Sequence, residues 1–156
     1  MYKRIMVPDD GSPTARKALD SAIALAKESN GHIRLFHLLE ELPYLGSEFY
    51  GSYNADLFES LRTASNTILA DGIAYIQSTG VKADCVLVDK FGAMLGDATA
   101  QAATEWRADL IVVGTHGRRG VGRLFLGSGA EQIIRMAPVP VLVIRGDAPT
   151  AKAEAH

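Results

Sequence analysis

Cysteine, charge of one sign and long apolar runs are all scarce in this chain. Cys85 is the single cysteine of 156 residues, so no disulfide closes within the chain, and the lone thiol fits a reducing compartment. Sixteen Lys and Arg against 18 Asp and Glu leave a net charge of −2. That balance provides no broad basic surface and argues against general nucleic-acid binding. No apolar run approaches membrane-spanning length, and the opening Met-Tyr-Lys-Arg-Ile-Met-Val-Pro is too short in apolar residues for a signal peptide. The expectation is a cytoplasmic protein without a membrane partner. No repeat, low-complexity tract or internal linker divides the sequence, and 47% hydrophobic content over this length suits one sizeable core.

What is present is concentrated between Gly114 and Arg145. An apolar strand, Asp109 to Val113, runs into Gly114, and Gly117, Gly120, Gly122 and Gly127 follow before a helix opens at Ser128. Glycines let successive amides turn into one concavity, and a helix start adds unpaired N–H groups and the positive end of its dipole. Arg118, Arg119 and Arg123 favour a phosphate over a neutral ligand. Ser128 and Glu131 have capping-box spacing, which predicts Ser128 as the helix cap. The plainer alternative is that these glycines only shape a surface loop. The run is not a P-loop, since no Gly-x4-Gly-Lys-Ser/Thr occurs. Nor is it a dinucleotide fingerprint, because Phe125 stands where Gly120-Val-Gly122 would need glycine or alanine.

The rest of the chain repeats strand, turn and helix. Arg4 to Val7 is a strand halted by Pro8-Asp9-Asp10-Gly11, and Ser12-Pro13 gives an N-cap followed by proline at the first helical position. Ala15, Ala18, Leu19, Ala22, Ile23 and Ala26 recur at helical spacing until Asn30-Gly31. His32 to Leu39 reads as a strand buried on both faces, Ala55 to Thr79 as the longest helix, with Leu57, Leu61, Ala64, Ile68, Leu69 and Ile76 facing inward, and Ala83 to Val88 as a third strand. Asp97 to Arg107 reads as a helix, and Val139 to Ile144 as the last strand. Between the second strand and the longest helix, Tyr44, Phe49, Tyr50 and Tyr53 make an aromatic loop, either packed on the domain's own surface or closing over a ligand as a lid. The preferred reading is packing.

The alternation βαβαβαβαβ specifies an α/β fold: one doubly wound parallel sheet of five strands between two helical layers, Rossmann-like or flavodoxin-like. In such a sheet a ligand sits beyond the carboxyl ends of the strands where the winding reverses. That rule brings Asp10 and Gly114 to one crevice.

Three stretches carry a family resemblance: Ile5-Met-Val-Pro-Asp-Asp-Gly-Ser12, the pattern Gly-x2-Gly-x9-Gly-Ser filled by Gly114, Gly117, Gly127 and Ser128, and Ala137-Pro-Val-Pro-Val-Leu-Val-Ile-Arg145. In order and spacing, from Tyr2 to Arg145, the chain resembles the universal stress protein family, in its ATP-binding branch. The resemblance implies strand order 3-2-1-4-5, a domain over 1–146 with a flexible tail over 147–156, and a homodimer in which the strand Val139 to Ile144 pairs with its copy. It also implies ATP as the ligand, with an unidentified regulatory protein as a further partner in a stress response. Gly114, Gly117, Gly127, Ser128 and the amide of Gly129 would hold phosphates, and Asp10, Pro8 and the backbone of Leu38 the nucleoside. Asp10 has the alternative role of capping the turn into the first helix.

Two positions depart from the family's pattern: Asp9 where an apolar residue is usual, and Gly129 where a β-branched one is. A second carboxylate beside a triphosphate repels it unless Mg²⁺ intervenes, so Asp9 is either a metal helper or a sign of weaker binding. His116 has no orienting partner in the sequence and His37 ends an apolar strand, where it reads as a satisfied buried side chain. Cys85 reads as inert packing. No nucleophile, arginine finger or positioned base stands out, so any ATP hydrolysis is slow. Two other readings stay open, an interaction protein with an empty crevice and a sensor for AMP or a cyclic nucleotide.

Overall fold

In a computed structural model of the chain, the structure describes residues 1–39, 52–90, 92–116 and 126–146, with side chains of the longest helix from residue 56 onward. The elements run β1 (Arg4–Pro8), α1 (Pro13–Ser29), β2 (His32–Leu38), α2 (Ser52–Ser78), β3 (Lys82–Val88), α3 (Leu95–Trp106), β4 (Leu110–Gly114), α4 (Ser128–Met136) and β5 (Val141–Ile144). All four strand pairings are parallel and the order is β3-β2-β1-β4-β5, as the resemblance implies.

Alternation along each strand divides the core into two layers. Ile5, Val7, Ile33, Leu35, Leu110 and Val112 face α1 and α2 with Leu19, Ala22, Leu69 and Ile76. Met6, Phe36, Leu38, Ile111 and Val113 face α3 and α4 with Ala102, Ala103, Trp106 and Ile133. Helix α1 starts as its sequence dictates: Ser12 Oγ accepts the Ala15 N–H with Pro13 at the first helical position, and Asn30 ends the helix in the left-handed conformation. The buried residues of α2 include Ser65, Leu69, Gly72 and Ile76, whereas Ala64 is exposed, a correction of one position on the expected face. Gly72 is where α2 comes closest to the sheet, since a Cβ there would run into Leu35 and approach Asp9 Oδ2.

Several boundaries shift. Helix α3 begins at Leu95 and not at Asp97, because Gly96 packs against the Gln132 backbone of α4 and its N–H lies 3.3 Å from Gln132 Oε1. Strand β5 begins at Val141, after prolines 138 and 140 that cannot donate to a ladder. Strand β2 is less enclosed than expected, with His32, Arg34 and His37 half-buried. Cys85 is exposed on the edge strand β3, not packed in the core. Partial desolvation of the thiol against its strand neighbours, and the Asp84 carboxylate, push its pKa up, against the Arg34 charge, so it is no activated nucleophile.

At the amino-terminal ends of the strands, Arg4 and Arg34 each place a guanidinium over the Trp106 ring, 4.5 and 4.8 Å from its centroid, while His32 meets it edge-on. Arg34 also forks onto Asp84, its register partner on β3, at 2.5 and 2.9 Å. Burial raises the Asp84 pKa, but the hydrogen bond and charge of Arg34, with His32 and Arg4, hold it below the usual carboxylate value.

Candidate functional site

The winding reverses between β1, which continues to β2, and β4, which continues to β5. The crevice therefore opens at the carboxyl ends of β1 and β4, where α1 and α4 both start. Two helix N-termini point the positive ends of their dipoles at the same place. They are not equivalent.

The α1 terminus is already occupied by the chain itself. Gly11 N–H goes to Asp9 Oδ1, Ser12 N–H to Asp10 Oδ1 and Ala15 N–H to Ser12 Oγ, and Pro13 has no N–H to give. Gly11 turns the chain with a φ of +79°, which a side chain would resist. Asp10 thus performs the turn-capping role left open above, whatever else it contacts.

The α4 terminus differs. Its cap is Gly127, not Ser128, and no side chain among the described residues caps it. Gly127 C=O accepts the Glu131 N–H at 2.9 Å, so helical geometry starts at Ser128, one residue earlier than a Ser128 cap would give. Glu131, which the capping box needs, pairs instead with Arg135 at 2.7 Å. Ser128 and Gly129 therefore sit in the first turn, where backbone amides have no intrahelical acceptor.

Close approach explains the glycines more directly than ligand contact does. A Cβ on Gly114 would lie 2.5 Å from Thr14 Cγ2, so the end of β4 touches the first turn of α1. A Cβ on Gly127 would lie 3.0 Å from the Thr115 carbonyl oxygen and 3.1 Å from His116 Cα. At Gly129 it would meet only Leu95 Cδ2, at 2.9 Å. The end of the Leu95 side chain of α3 is what a larger residue at 129 would have to displace.

Asp9 is buried, with Oδ2 toward Gly72 of α2. Burial raises its pKa most, against the Gly11 N–H; Asp10 adds to the rise, and Arg16 and His37 oppose it. His37 donates Nδ1–H to the Asp9 carbonyl at 2.7 Å, so it is satisfied as expected, though half-buried. Pro8 ends β1 beside Phe36, and Leu38 ends β2 beside Val88, buried in the layer under α3. Gly117 and Arg118, Arg119 and Arg123 lie outside the described residues, as do Tyr44, Phe49 and Tyr50 of the aromatic loop and the tail over 147–156, while Tyr53, expected in that loop, falls in α2.

Sequence reasoning missed the partners of His116. Its Nε2 lies 3.2 Å from Thr14 Oγ1 and its Nδ1 3.1 Å from Thr115 Oγ1. Thr14 is 102 positions away, and only the meeting of α1 with the end of β4 brings it near. A separate groove of about 350 Å³ lies between β3 and α3, lined by Val86, Val88, Ala93, Met94 and Gln101 among others. It is on the far side of the sheet edge from the switch point, and the two should not be confused.

A family model described as the universal stress protein family matches residues 1–145. The chain belongs to the universal stress protein family. It is 35% identical over 147 residues to a universal stress protein of Thermus aquaticus, covering 93% of this chain and 100% of the relative. Among solved structures, hypothetical protein MJ0577 superposes with a TM-score of 0.82 at 24% identity, over 96% of this chain and 99% of that one, a likeness of fold. A universal stress protein in complex with cAMP has a TM-score of 0.62 at 26% identity, over 92% of this chain and 97% of that one. Two further chains of the fold were solved with AMP, from Arabidopsis thaliana at 19% identity, and with dAMP, from Archaeoglobus fulgidus at 23%. Their TM-scores are 0.67 and 0.64; they cover 97% and 92% of this chain and are each 98% covered. Among the described residues no helix is long and apolar enough to cross a membrane.

Proposed function

We propose that this universal stress protein is a cytoplasmic, nucleotide-binding regulatory module that holds ATP in the β1/β4 crevice. The observation that carries the proposal is the asymmetry of the two helix starts. The turn into α1 and the Ala15 amide of its first turn are held by Asp9, Asp10 and Ser12, whereas among the described residues no side chain caps α4 at Gly127. Phosphate oxygens supply what the α4 amides lack. Gly117, Gly127, Ser128 and the amide of Gly129 then form the phosphate side, with Gly114 keeping the β4 end close to α1. Pro8, Asp10 and the Leu38 backbone form the nucleoside side. Arg118, Arg119 and Arg123 in the intervening sequence favour a polyphosphate over adenosine.

The residues give limited support for a protein-held Mg²⁺. Asp9 turns toward α2 and is costly to ionise, and among the described residues no three His, Cys, Asp or Glu converge. Mg²⁺ entering with the triphosphate would be held mainly by phosphate oxygens and water. Turnover is slow in this reading, since no described group is placed as a base toward an attacking water.

The module acts as a homodimer through β5 and signals to an unidentified regulatory protein. Ile111 N–H goes to Pro140 O and Thr115 N–H to Ile144 O. By the alternation of a parallel ladder, Pro140, Leu142 and Ile144 face β4, and Val141 and Val143 turn their backbone groups to the open edge. The exposed Leu142 beside it, with Ile134 and Met136 of α4, favours covering this edge with a second copy.

The cAMP complex of a relative at 26% identity gives a second reading, a sensor of AMP or cyclic AMP. Titration calorimetry with ATP, AMP, cyclic AMP and adenosine, with and without Mg²⁺, separates the two. ATP bound most tightly, with affinity falling as salt rises, supports the first reading. Tighter binding of a monophosphate supports the sensor, and no heat with any of them leaves an interaction protein.

A further inference from the structure

The hydrogen bonds around His116 have a direction. Gly146, just beyond β5, donates its N–H to Thr115 Oγ1 at 3.1 Å. An amide N–H only donates, so this bond uses Thr115 Oγ1 as an acceptor and leaves its single proton for another partner. His116 Nδ1, 3.1 Å away, is that partner when it carries no hydrogen. In the neutral ring Nε2 then holds the proton and donates it to Thr14 Oγ1 at 3.2 Å. The opposite tautomer would give Thr115 Oγ1 two donors and leave its own proton without an acceptor among the hydrogen bonds of the described residues.

The ring is also fixed by packing. A Cβ on Gly146 would fall 2.9 Å from His116 Nε2 and 3.0 Å from Thr14 Oγ1, so β5 leaves the sheet directly against the imidazole. On the other side, Thr115 C=O accepts the Gly127 N–H at 2.5 Å, and the His116 backbone touches Gly127. One imidazole and the threonine before it thus connect the first turn of α1, the exit of β5 and the start of α4. Those three segments rim the crevice.

We propose that His116, as the Nε2–H tautomer, is a positioning residue that holds the uncapped start of α4 at a fixed distance from α1, and so sets the spacing of the phosphate side. This role rests on the nucleotide reading above. His116 acts through Thr14 and Thr115 and itself touches no ligand in this arrangement. A free side chain in the same sequence position would have no influence on Gly146.

The test uses the full chain as wild type, Thr115→Val, Thr115→Ser and Thr14→Val. Valine keeps the threonine shape without the hydroxyl, and serine keeps the hydroxyl. Long-range ¹⁵N–¹H correlation reads the His116 tautomer, amide exchange reads Gly146, and calorimetry compares ATP with adenosine. The expected results are an Nε2–H tautomer in the wild type and loss of Gly146 protection in Thr115→Val. Removing the hydroxyl at either end of the tie should weaken ATP roughly three- to tenfold or more in both valine variants while leaving adenosine unchanged. Thr115→Ser should restore both readouts. An Nδ1–H tautomer, or a Thr115→Val variant with wild-type Gly146 protection, or valine variants with the wild-type ratio of ATP to adenosine affinity, each overturns the positioning role. A wild type that binds no adenine nucleotide overturns instead the reading on which it rests. Thr14→Val, on the opposite side of the ring, keeps the test decisive if Thr115→Val folds poorly.

Discussion

Replacing Gly127 by alanine distinguishes packing from ligand contact at the start of α4. The backbone there has φ −62° and ψ 155°, open to any residue, so the substitution carries no dihedral strain. Its cost is contact: the new Cβ would sit 3.0 Å from Thr115 O and 3.1 Å from His116 Cα. Both are backbone atoms held by Gly127 N–H to Thr115 O and Thr115 N–H to Ile144 O, so neither yields without lengthening a hydrogen bond. Overpacking of this kind costs about 1–3 kcal/mol, and alanine is a worse N-cap than glycine by about 1 kcal/mol. The stiffer unfolded chain returns about 0.4–1 kcal/mol. A net loss of about 1–3 kcal/mol should lower Tm by roughly 3–10 °C in a chain of this size. Gly129→Ala is the control: its Cβ would meet only the end of the Leu95 side chain, and helix propensity favours alanine by about 1 kcal/mol, so it should be neutral or stabilising. Differential scanning calorimetry gives both numbers, and titration at a temperature where all variants are folded gives ATP affinity. Gly127→Ala with an unchanged Tm and no ATP binding would refute the argument, because the methyl would then obstruct the ligand and not the fold.

Three further substitutions bear on the same structure. Asp9→Asn keeps an acceptor for Gly11 N–H and removes a carboxyl whose pKa is raised in the fold; the folded chain binds that proton more tightly than the unfolded one, so the native state loses stability as pH rises through the window above the unfolded value of 3.8. The variant should be more stable than wild type at neutral pH and lose its advantage in acid, by urea denaturation at a series of pH values, and equal stability at neutral pH would contradict the burial argument. Gly72→Ala gains about 1 kcal/mol of helix propensity but overpacks Leu35 by about 1–3 kcal/mol, so it should destabilise, and adding Leu35→Val should recover part of the loss in the same measurement. Val143→Pro removes a donor from the open edge of β5 and none from the β4 ladder; sedimentation should show a dimer for the wild type and a monomer for the variant, and a monomeric wild type at micromolar concentration ends the dimer proposal.

The elements of this fold are legible in sequence because each strand is a short apolar run and each helix carries a local signal, as with Ser12-Pro13 before α1. What local signals miss is decided by neighbours far along the chain. Ser128 and Glu131 have the spacing of a capping box, yet Gly127 takes the cap because its contact with Thr115 and His116 places it there. Cys85 lies in an apolar run, and only its place on an edge strand exposes it. Gly129, where the family's usual residue is β-branched, has as its neighbour the end of the Leu95 side chain, 34 positions earlier. The candidate site divides in the same way. The glycine motif and the switch-point rule point to the crevice, but the carboxylate-held turn before α1 and the threonines around His116 depend on contacts that no spacing encodes.

The tryptophan between two arginines has a practical consequence for anyone measuring ligands on this protein. Trp106 is the only tryptophan in the chain, 6% exposed and flanked by Arg4 and Arg34 at the amino-terminal ends of the strands, at the opposite end of the strands from the β1/β4 crevice. Its emission is that of a shielded indole whose surroundings exist only while β1, β2 and α3 are assembled. Intrinsic fluorescence will therefore follow unfolding faithfully and stay silent as the crevice fills, so a flat emission titration with nucleotide says nothing about occupancy, and a shift in the melting curve read at the same wavelength does.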